Sequence, residues 1–235
     1  MQTEILHGYI IRITPYSDND AIVMLFTQEM GQLSVFLKNV KNSQKRFQGS
    51  IDSFLYNEFE VLLKDNDRLS ILKSSKIINT FYEIKNEPMK LIFAQHLTEL
   101  YNNFLTQFTS DNFKYFDSML KYINNSKKLN YASLLILRFN ILKIGGIMPR
   151  VENKNHNLYS ISQFVFLKEN IEPDSIQLTE NQINFLTEFQ NENQKILEYL
   201  FNDDEKKSFG KLFSALYYSI ATKKLLTIPL LKQFF

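Results

Sequence analysis

Gly31-Gln-Leu-Ser-Val-Phe-Leu-Lys38 is a segment in which the character of the side chains alternates with a period of two. The apolar residues at 33, 35 and 37 fall on one side, whereas Ser34, Phe36 and Lys38 fall on the other. This alternation indicates a β-strand with one face buried in a core. Phe36 and Lys38 are therefore predicted to face outward.

Neighbouring segments extend this pattern into a sheet. Leu55 to Leu63 alternates in the same way, with Tyr56 on the predicted outward side. Similar segments between Tyr9 and about Ile78 are separated by turn residues, and five strands in about 70 residues predict a small β-barrel. After Thr80 the apolar residues recur every three or four positions, which indicates helices. We therefore predict an α+β fold, with a barrel domain over residues 1–79 and a mainly α-helical domain over residues 80–235.

Within the helical domain, residues 134–144 are apolar on most sides, which predicts a central, buried helix. It is expected to end at Gly145-Gly146, with Pro149 just beyond. Residues 149–176 are predicted to form an irregular loop, apart from a short strand near 163–167. Helices are expected to resume from Leu178, with Asp203 to Lys207 as a charged connector.

The composition excludes several classes of chemistry. The chain has no cysteine, which rules out disulfides, thiolate zinc sites and a cysteine nucleophile. Its six glycines form no phosphate-binding loop. His7, His96 and His156 lie far apart and match no metal or catalytic spacing. We expect a protein that is not an enzyme and binds no cofactor. With no export signal or apolar span visible in the sequence, a cytoplasmic location is expected.

The charges are balanced overall but uneven along the chain. The 27 Lys and Arg against 25 Asp and Glu give a net charge of +2. No acid occurs between Met30 and Ile51, a stretch that contains the basic run. The basic run consists of Lys38, Lys41, Lys45 and Arg46. It is either a solvated loop or a contact site for nucleic-acid phosphates.

Aromatic residues on the same predicted face favour the second interpretation. Small barrels bind single strands through cations and stacked rings. The candidate DNA-binding residues are Arg12, Phe36, Lys38, Lys41, Lys45, Arg46 and Tyr56. The alternative for Phe36 and Tyr56 is that the helical domain covers them.

The last helices carry a second charge asymmetry, since no acid follows Glu205 while six lysines do. Apolar residues at helical spacing accompany these lysines, either as core or as one wall of a groove for an acidic peptide. The candidate partner-peptide residues are Arg138, Lys211, Phe213, Tyr217, Lys223 and Lys224. Phe213 or Tyr217 is the predicted slot wall, and Arg138 is either a further peptide contact or part of a structural ion pair.

Several ordered motifs resemble the RecO family. They are Gly8-Tyr-Ile-Ile-Arg12, Tyr16-Ser-Asp-Asn-Asp20, Leu25-Phe-Thr27, Gly31-Gln-Leu-Ser34, Lys38-Asn-Val-Lys41, Lys45-Arg-Phe47, and Arg138-Phe139 through Gly145-Gly146 to Pro149. Asn39 stands where the family pattern has glycine, and Lys45 where it has serine. Many members bind zinc through cysteines after the proline, and this chain lacks those ligands, so no metal is expected.

The resemblance implies an oligonucleotide/oligosaccharide-binding (OB) barrel and a role as a DNA-repair and recombination mediator. It further implies binding to single- and double-stranded DNA, strand annealing, partnership with RecR, and docking on the acidic, phenylalanine-ended tail of single-strand binding protein. Association with the nucleoid would follow. The alternative is a non-enzymatic scaffold for protein–protein interactions, in which the basic run only aids solvation. A hydrolase would need a carboxylate or histidine cluster that the sequence does not suggest.

Overall fold

The structure, a computed structural model, describes residues 2–39, 44–47, 49–64, 69–104, 109–169, 173–221 and 223–235, without the side chains of residues 44, 45, 104 and 194. The chain forms two compact units. The first comprises residues 1–98 and 105–126, and the second comprises residues 99–104 and 127–235.

Five strands of the first unit form a closed barrel in the order β1-β2-β3-β5-β4. They are β1 Gln2–Pro15, β2 Ala21–Thr27, β3 Gly31–Leu37, β4 Leu55–Leu63 and β5 Ser70–Thr80. The neighbours pair antiparallel except β3 and β5, which pair parallel, and β1 closes the barrel against β4. The barrel is closed between β3 and β5 by two residue pairs, Val35 with Ser70 and Phe36 with Ile71. The prediction of a small OB-type barrel is therefore confirmed.

The barrel core follows the alternation read from the sequence. Val35, Phe59, Val61 and Leu72 are fully buried and belong to one cluster of inward side chains. Gly8 is required where β1 crosses β2, because a Cβ atom there would lie 2.0 Å from the carbonyl oxygen of Phe26. Any side chain at this position would push the two strands apart.

Helices of the first unit are α1 Gln44–Phe47, α2 Tyr82–Asn86, most of α3 Pro88–Phe104, and α4 Ser110–Asn125. Thr109 caps the start of α4, because its side chain accepts a hydrogen bond from the backbone N–H of Asn112. Phe113 and Phe116 of α4 pack against Phe26 of β2, with ring centroids 5.3 Å apart in both pairs. One outward patch of the barrel is therefore covered within the same unit.

The second unit is built around α5 Tyr131–Ile144, in which ten residues are buried, as predicted for a central helix. A capping box between Asn130 and Ser133 starts it, and Gly145 ends it. The remaining elements are β6 Leu158–Ser160, β7 Val165–Leu167, β8 Ser175–Gln177, α6 Glu180–Gln190, a 3-10 helix Gln194–Glu198, α7 Asp203–Ile220 and α8 Ile228–Leu231.

Two predictions about this unit need correction. The segment Asp203 to Lys207 is not a connector but the first turns of α7, capped by the side chain of Asn202. The acids there lie at the positive end of the helix dipole, where negative charge stabilises a helix. The stretch 149–176 is not wholly irregular, because β6 pairs with both β7 and β8 in a small sheet.

Candidate nucleic-acid and peptide interfaces

Strand register sets two of the predicted DNA-binding residues on one outward face of the barrel. Arg12 is paired with Met24, and Phe36 is paired with Ile22, the next outward position of β2. Directly opposed residues of a sheet share a face. The outward face, as we define it here, consists of Arg12, Thr14, Ile22, Met24, Ser34 and Phe36.

An aromatic pair marks one end of this face. The ring of Tyr16 meets the ring of Phe36 edge-on, with centroids 5.6 Å apart. Tyr16 is 67% exposed and Phe36 is half-buried, so both rings remain accessible to a ligand. The sequence analysis used Tyr16 only as part of a motif. Tyr16 directly follows β1 and lies two positions beyond Thr14, which faces outward. This spacing is the signal that identifies Tyr16 as a site residue.

Cations adjoin the aromatic pair. Lys38 is exposed directly after β3. Lys73 is also exposed, and it follows Ile71 of β5 by two positions, as Lys38 follows Phe36. Phe36 and Ile71 are paired in parallel strands, and each lysine lies two positions further along its own chain segment. The two lysines therefore lie on the same side of the Phe36–Ile71 pair. Lys73 was missed because the pairing of β3 with β5 is not visible in the sequence.

The described part of the basic run has a structural as well as an electrostatic role. The Arg46 guanidinium donates a hydrogen bond of 2.6 Å to the carbonyl oxygen of Lys38 and lies 4.9 Å from the ring centroid of Phe47. Phe47 is itself part of the barrel core. Arg46 is nevertheless exposed. Lys41 and the side chain of Lys45 lie outside the described residues, so their predicted role stays a prediction.

Asn39, which stands where the family pattern has glycine, adopts a backbone conformation that glycine favours. Its φ of 63° lies in the left-handed region, and its backbone N–H donates a hydrogen bond of 2.9 Å to a carboxylate oxygen of Asp20. Asparagine tolerates this backbone conformation better than most residues other than glycine. The substitution therefore keeps the turn that follows Lys38, and Asp20 acts as a turn residue.

Tyr56 lies in a different environment from the other candidates. It lines a cavity of about 420 Å³ in the first unit, where its ring centroid is 5.3 Å from that of Tyr9. The Tyr9 hydroxyl donates a 2.5 Å hydrogen bond to Asp117. Burial, followed by the charges of Asp117 and Glu29, raises the pKa of Tyr56. Lys114 and Lys121 line the same cavity, and Lys121 pairs with Asp117 at 2.6 Å, so Tyr56 has both acids and cations around it and its predicted role stays a prediction.

A groove of about 670 Å³ occupies the second unit. One wall is α5, a second is the polar side of α7, and a third is α8 with the residues after it. The apolar and aromatic lining residues are Tyr131, Leu134, Ile228, Leu231 and Phe235, and the cationic ones are Arg138, Lys206, Lys207, Lys211 and Lys232. We call this the α5–α7–α8 groove. It combines an apolar surface with five cations, the two features predicted for an acidic-peptide site.

Arg138 is the most buried cation of the groove, with 6% exposure. Its guanidinium carbon lies 4.9 Å from the ring centroid of Phe213. Burial lowers the pKa of Arg138 to about 10, while the proximity of Tyr131 and Tyr218 opposes that shift. The side chain is therefore positively charged at neutral pH and incompletely hydrated, which strengthens its attraction for a carboxylate.

The groove lysines differ in their existing partners. Lys206 and Lys207 each lie 3.2 Å from an acid of the first turn, Asp203 and Asp204 respectively. Within the described ranges, neither Lys211 nor Lys232 forms an ion pair. Both are exposed. These two lysines are free to pair with an incoming anion without breaking a contact.

Phe213 and Tyr217 do not form the slot walls that the sequence analysis predicted. Their exposures are 1% and 0%, and their rings stack with centroids 5.5 Å apart. They belong to the core side of α7, because an apolar stripe on a helix packs inward whenever another element covers it. Lys223 and Lys224 are exposed after α7 and are not among the residues that line the groove.

A carboxylate holds the third wall of the groove in place. Glu99 accepts hydrogen bonds from the backbone N–H groups of Leu226 and Thr227, at 2.5 and 3.0 Å, and from the Thr227 hydroxyl at 2.6 Å. Thr227 directly precedes α8. Glu99 therefore anchors the start of the segment that supplies Ile228, Leu231 and Lys232 to the groove.

Among the residues that the structure describes, no group of three or more His, Asp or Glu side chains is arranged to hold a metal ion. None of the helices described there combines the length and the apolar character needed to cross a membrane.

Comparison with known proteins supplies an independent line of evidence. Residues 1–81 match the family model described as Recombination protein O N terminal. The chain is similar to the DNA repair protein RecO of Syntrophus aciditrophicus (strain SB), with 30% identity over 107 residues, or 44% of this chain and 41% of that protein.

Two further relatives carry the same name. The DNA repair protein RecO of Anaeromyxobacter dehalogenans (strain 2CP-C) is 24% identical over 149 residues, or 63% of this chain and 58% of that protein. The one from Clostridium perfringens (strain 13 / Type A) is 26% identical over 166 residues, or 68% and 66%. The chain thus spans between 41% and 66% of the length of these three relatives.

Proposed function

We propose that this chain, whose residues 1–81 match the family model of the RecO N terminus, is a DNA-repair and recombination mediator that binds and anneals single-stranded DNA. No covalent bond is made or broken in this role. The observation that carries the proposal is the outward face of the barrel, where accessible rings adjoin exposed cations. Relatives named DNA repair protein RecO support the repair context.

The proposed mechanism begins with charge. Lys38, Lys73 and Arg12 neutralise backbone phosphates and release counterions, which favours binding at low salt. The rings of Tyr16 and Phe36 stack on bases without reading their sequence. Two strands brought to such a surface repel each other less, because the protein's cations offset their charge, and complementary bases then pair. Duplex DNA offers the same phosphates and binds through the cations alone.

The partner is recognised through the second unit. We propose that the α5–α7–α8 groove binds the acidic, phenylalanine-ended tail of single-strand binding protein. The terminal ring packs against Leu134, Ile228 and Leu231, while Arg138, Lys211 and Lys232 pair with the carboxylates. A buried anion without partners is costly, so cations around an apolar slot suit this ligand. Tethering to coated DNA in this way raises the local concentration of the barrel at its substrate.

Partnership with RecR, delivery of a recombinase onto the strand, and a cytoplasmic location at the nucleoid complete the proposed role. These parts of the proposal rest on the similarity of the chain to RecO proteins. Since a mediator must exchange partners, we expect each contact to be individually weak and salt-sensitive.

The test uses the full chain and single-stranded oligonucleotides with and without their coating protein. We expect binding whose logarithmic affinity falls linearly with the logarithm of salt concentration, and faster annealing of complementary strands. A folded chain that binds the tail peptide but no DNA would instead support the scaffold alternative. Oligonucleotide cleavage that depends on a divalent metal would contradict a non-enzymatic role.

A further inference from the structure

Gly210 lies at the centre of the α7 wall of the proposed peptide groove. The lining positions of this helix are Asp203, Lys206, Lys207, Gly210, Lys211 and Ser214. They recur at intervals of three and four, so they form one stripe along the helix. Gly210 has one turn of lining residues on either side of it. It is therefore the point where the wall carries no side chain.

Nothing in the described part of the fold requires glycine at this position. Gly210 is within α7 and is not among the glycines with positive φ. A Cβ atom at this position would meet no heavy atom of the described residues within 4 Å, apart from its own helical surroundings. Glycine in a helix interior is less stable than alanine, because it loses more backbone freedom on folding. Glycine therefore makes α7 less stable than alanine would, and among the described residues it allows no closer packing.

The groove supplies the reason. We propose that Gly210 is a specificity-determining residue, bare so that the terminal aromatic ring of a bound acidic peptide can lie against the backbone of α7. The inference rests on the proposed peptide-binding function and adds the backbone of α7 to the contacts proposed for the ring. Lys206 and Lys207 on the preceding turn and Lys211 on the next position then flank the ring with charge for the peptide's carboxylates.

The experiment compares the full wild-type chain with Gly210→Ala and Gly210→Leu. The probe is a labelled peptide of aspartates ending in phenylalanine, titrated by fluorescence anisotropy. We expect Gly210→Ala to bind the peptide about tenfold more weakly than the wild type, because its methyl group overpacks an occupied site. We expect Gly210→Leu to abolish binding. The melting temperature of Gly210→Ala should rise by about 2 °C, since alanine is the better helix former. Stabilisation together with lost affinity is not expected of a merely structural glycine.

Ser219→Ala and Ser219→Leu are the matched controls, because Ser219 is exposed on α7 outside the groove lining. Both should bind the peptide like the wild type. A peptide ending in alanine should bind weakly to the wild type and to Gly210→Ala alike, because it brings no ring. Equal binding of the phenylalanine-ended peptide by the wild type and Gly210→Ala would overturn this inference alone. A wild-type chain that does not bind it would overturn the proposed peptide site and this inference with it.

Discussion

Neutralising Arg12, Lys38 and Lys73 together, as the variant R12Q/K38Q/K73Q, tests the outward face of the barrel most directly. If each cation contacts one phosphate of a single strand, each contributes about 0.7 to the slope of log affinity against log salt. The triple variant should therefore lose about two units of slope. Since this difference grows as salt falls, its affinity should be about a hundredfold lower at 0.1 M salt and nearly equal to the wild type at 1 M.

The assay is fluorescence anisotropy of a labelled thymidine oligonucleotide over a series of sodium chloride concentrations. The control K76Q/K114Q/K128Q removes the same charge at three exposed lysines outside the outward face, one of which, Lys76, is paired with Glu58. Both variants should keep the wild-type melting temperature, because exposed charges contribute little to stability. An unchanged slope in the folded R12Q/K38Q/K73Q variant would refute the assignment of DNA binding to this face.

Three further outcomes are expected. Phe213→Ala should lower the free energy of unfolding by about 3–5 kcal/mol, because it removes a buried ring, whereas Lys211→Ala should change it by less than about 0.5 kcal/mol. Urea titration of both variants measures this difference and so separates a core residue from a slot wall. Glu99→Gln should lower the free energy of unfolding by about 1–3 kcal/mol and weaken tail-peptide binding, because the amide offers one acceptor oxygen to three donors. Hydrogen exchange at the backbone N–H groups of Leu226 and Thr227 should become faster in this variant. Burial raises the pKa values of Tyr131, Tyr159 and Tyr217 to about 12. The stability that these side chains contribute is therefore complete below about pH 10 and is lost as the pH rises from about 10 to about 12. Urea titrations at stepped pH that show no such loss would contradict the assigned burial.

Side-chain periodicity alone predicted the barrel strands and the buried central helix. Inward and outward positions of a strand alternate strictly, so the inward positions of Val35 and Phe59 and the outward position of Phe36 followed from the sequence. The end of α5 at Gly145 followed from local backbone preference. Signals of this kind depend on residues within one or two turns of each other, and they are legible without the fold.

The composition of both proposed sites depended on elements that are distant in sequence. Lys73 joins the outward face only because β5 pairs parallel to β3. Tyr56 lies instead on β4, beside Asp117 and Phe113 of α4. Spacing on α7 suggested a groove but could not say which side of that helix faces it. Packing decided this: Phe213 and Tyr217 went into the core, and the polar stripe with Gly210 was left facing α8. A sequence specifies which helix faces differ in polarity, whereas the elements that pack around the helix decide which face is covered and which can bind a ligand.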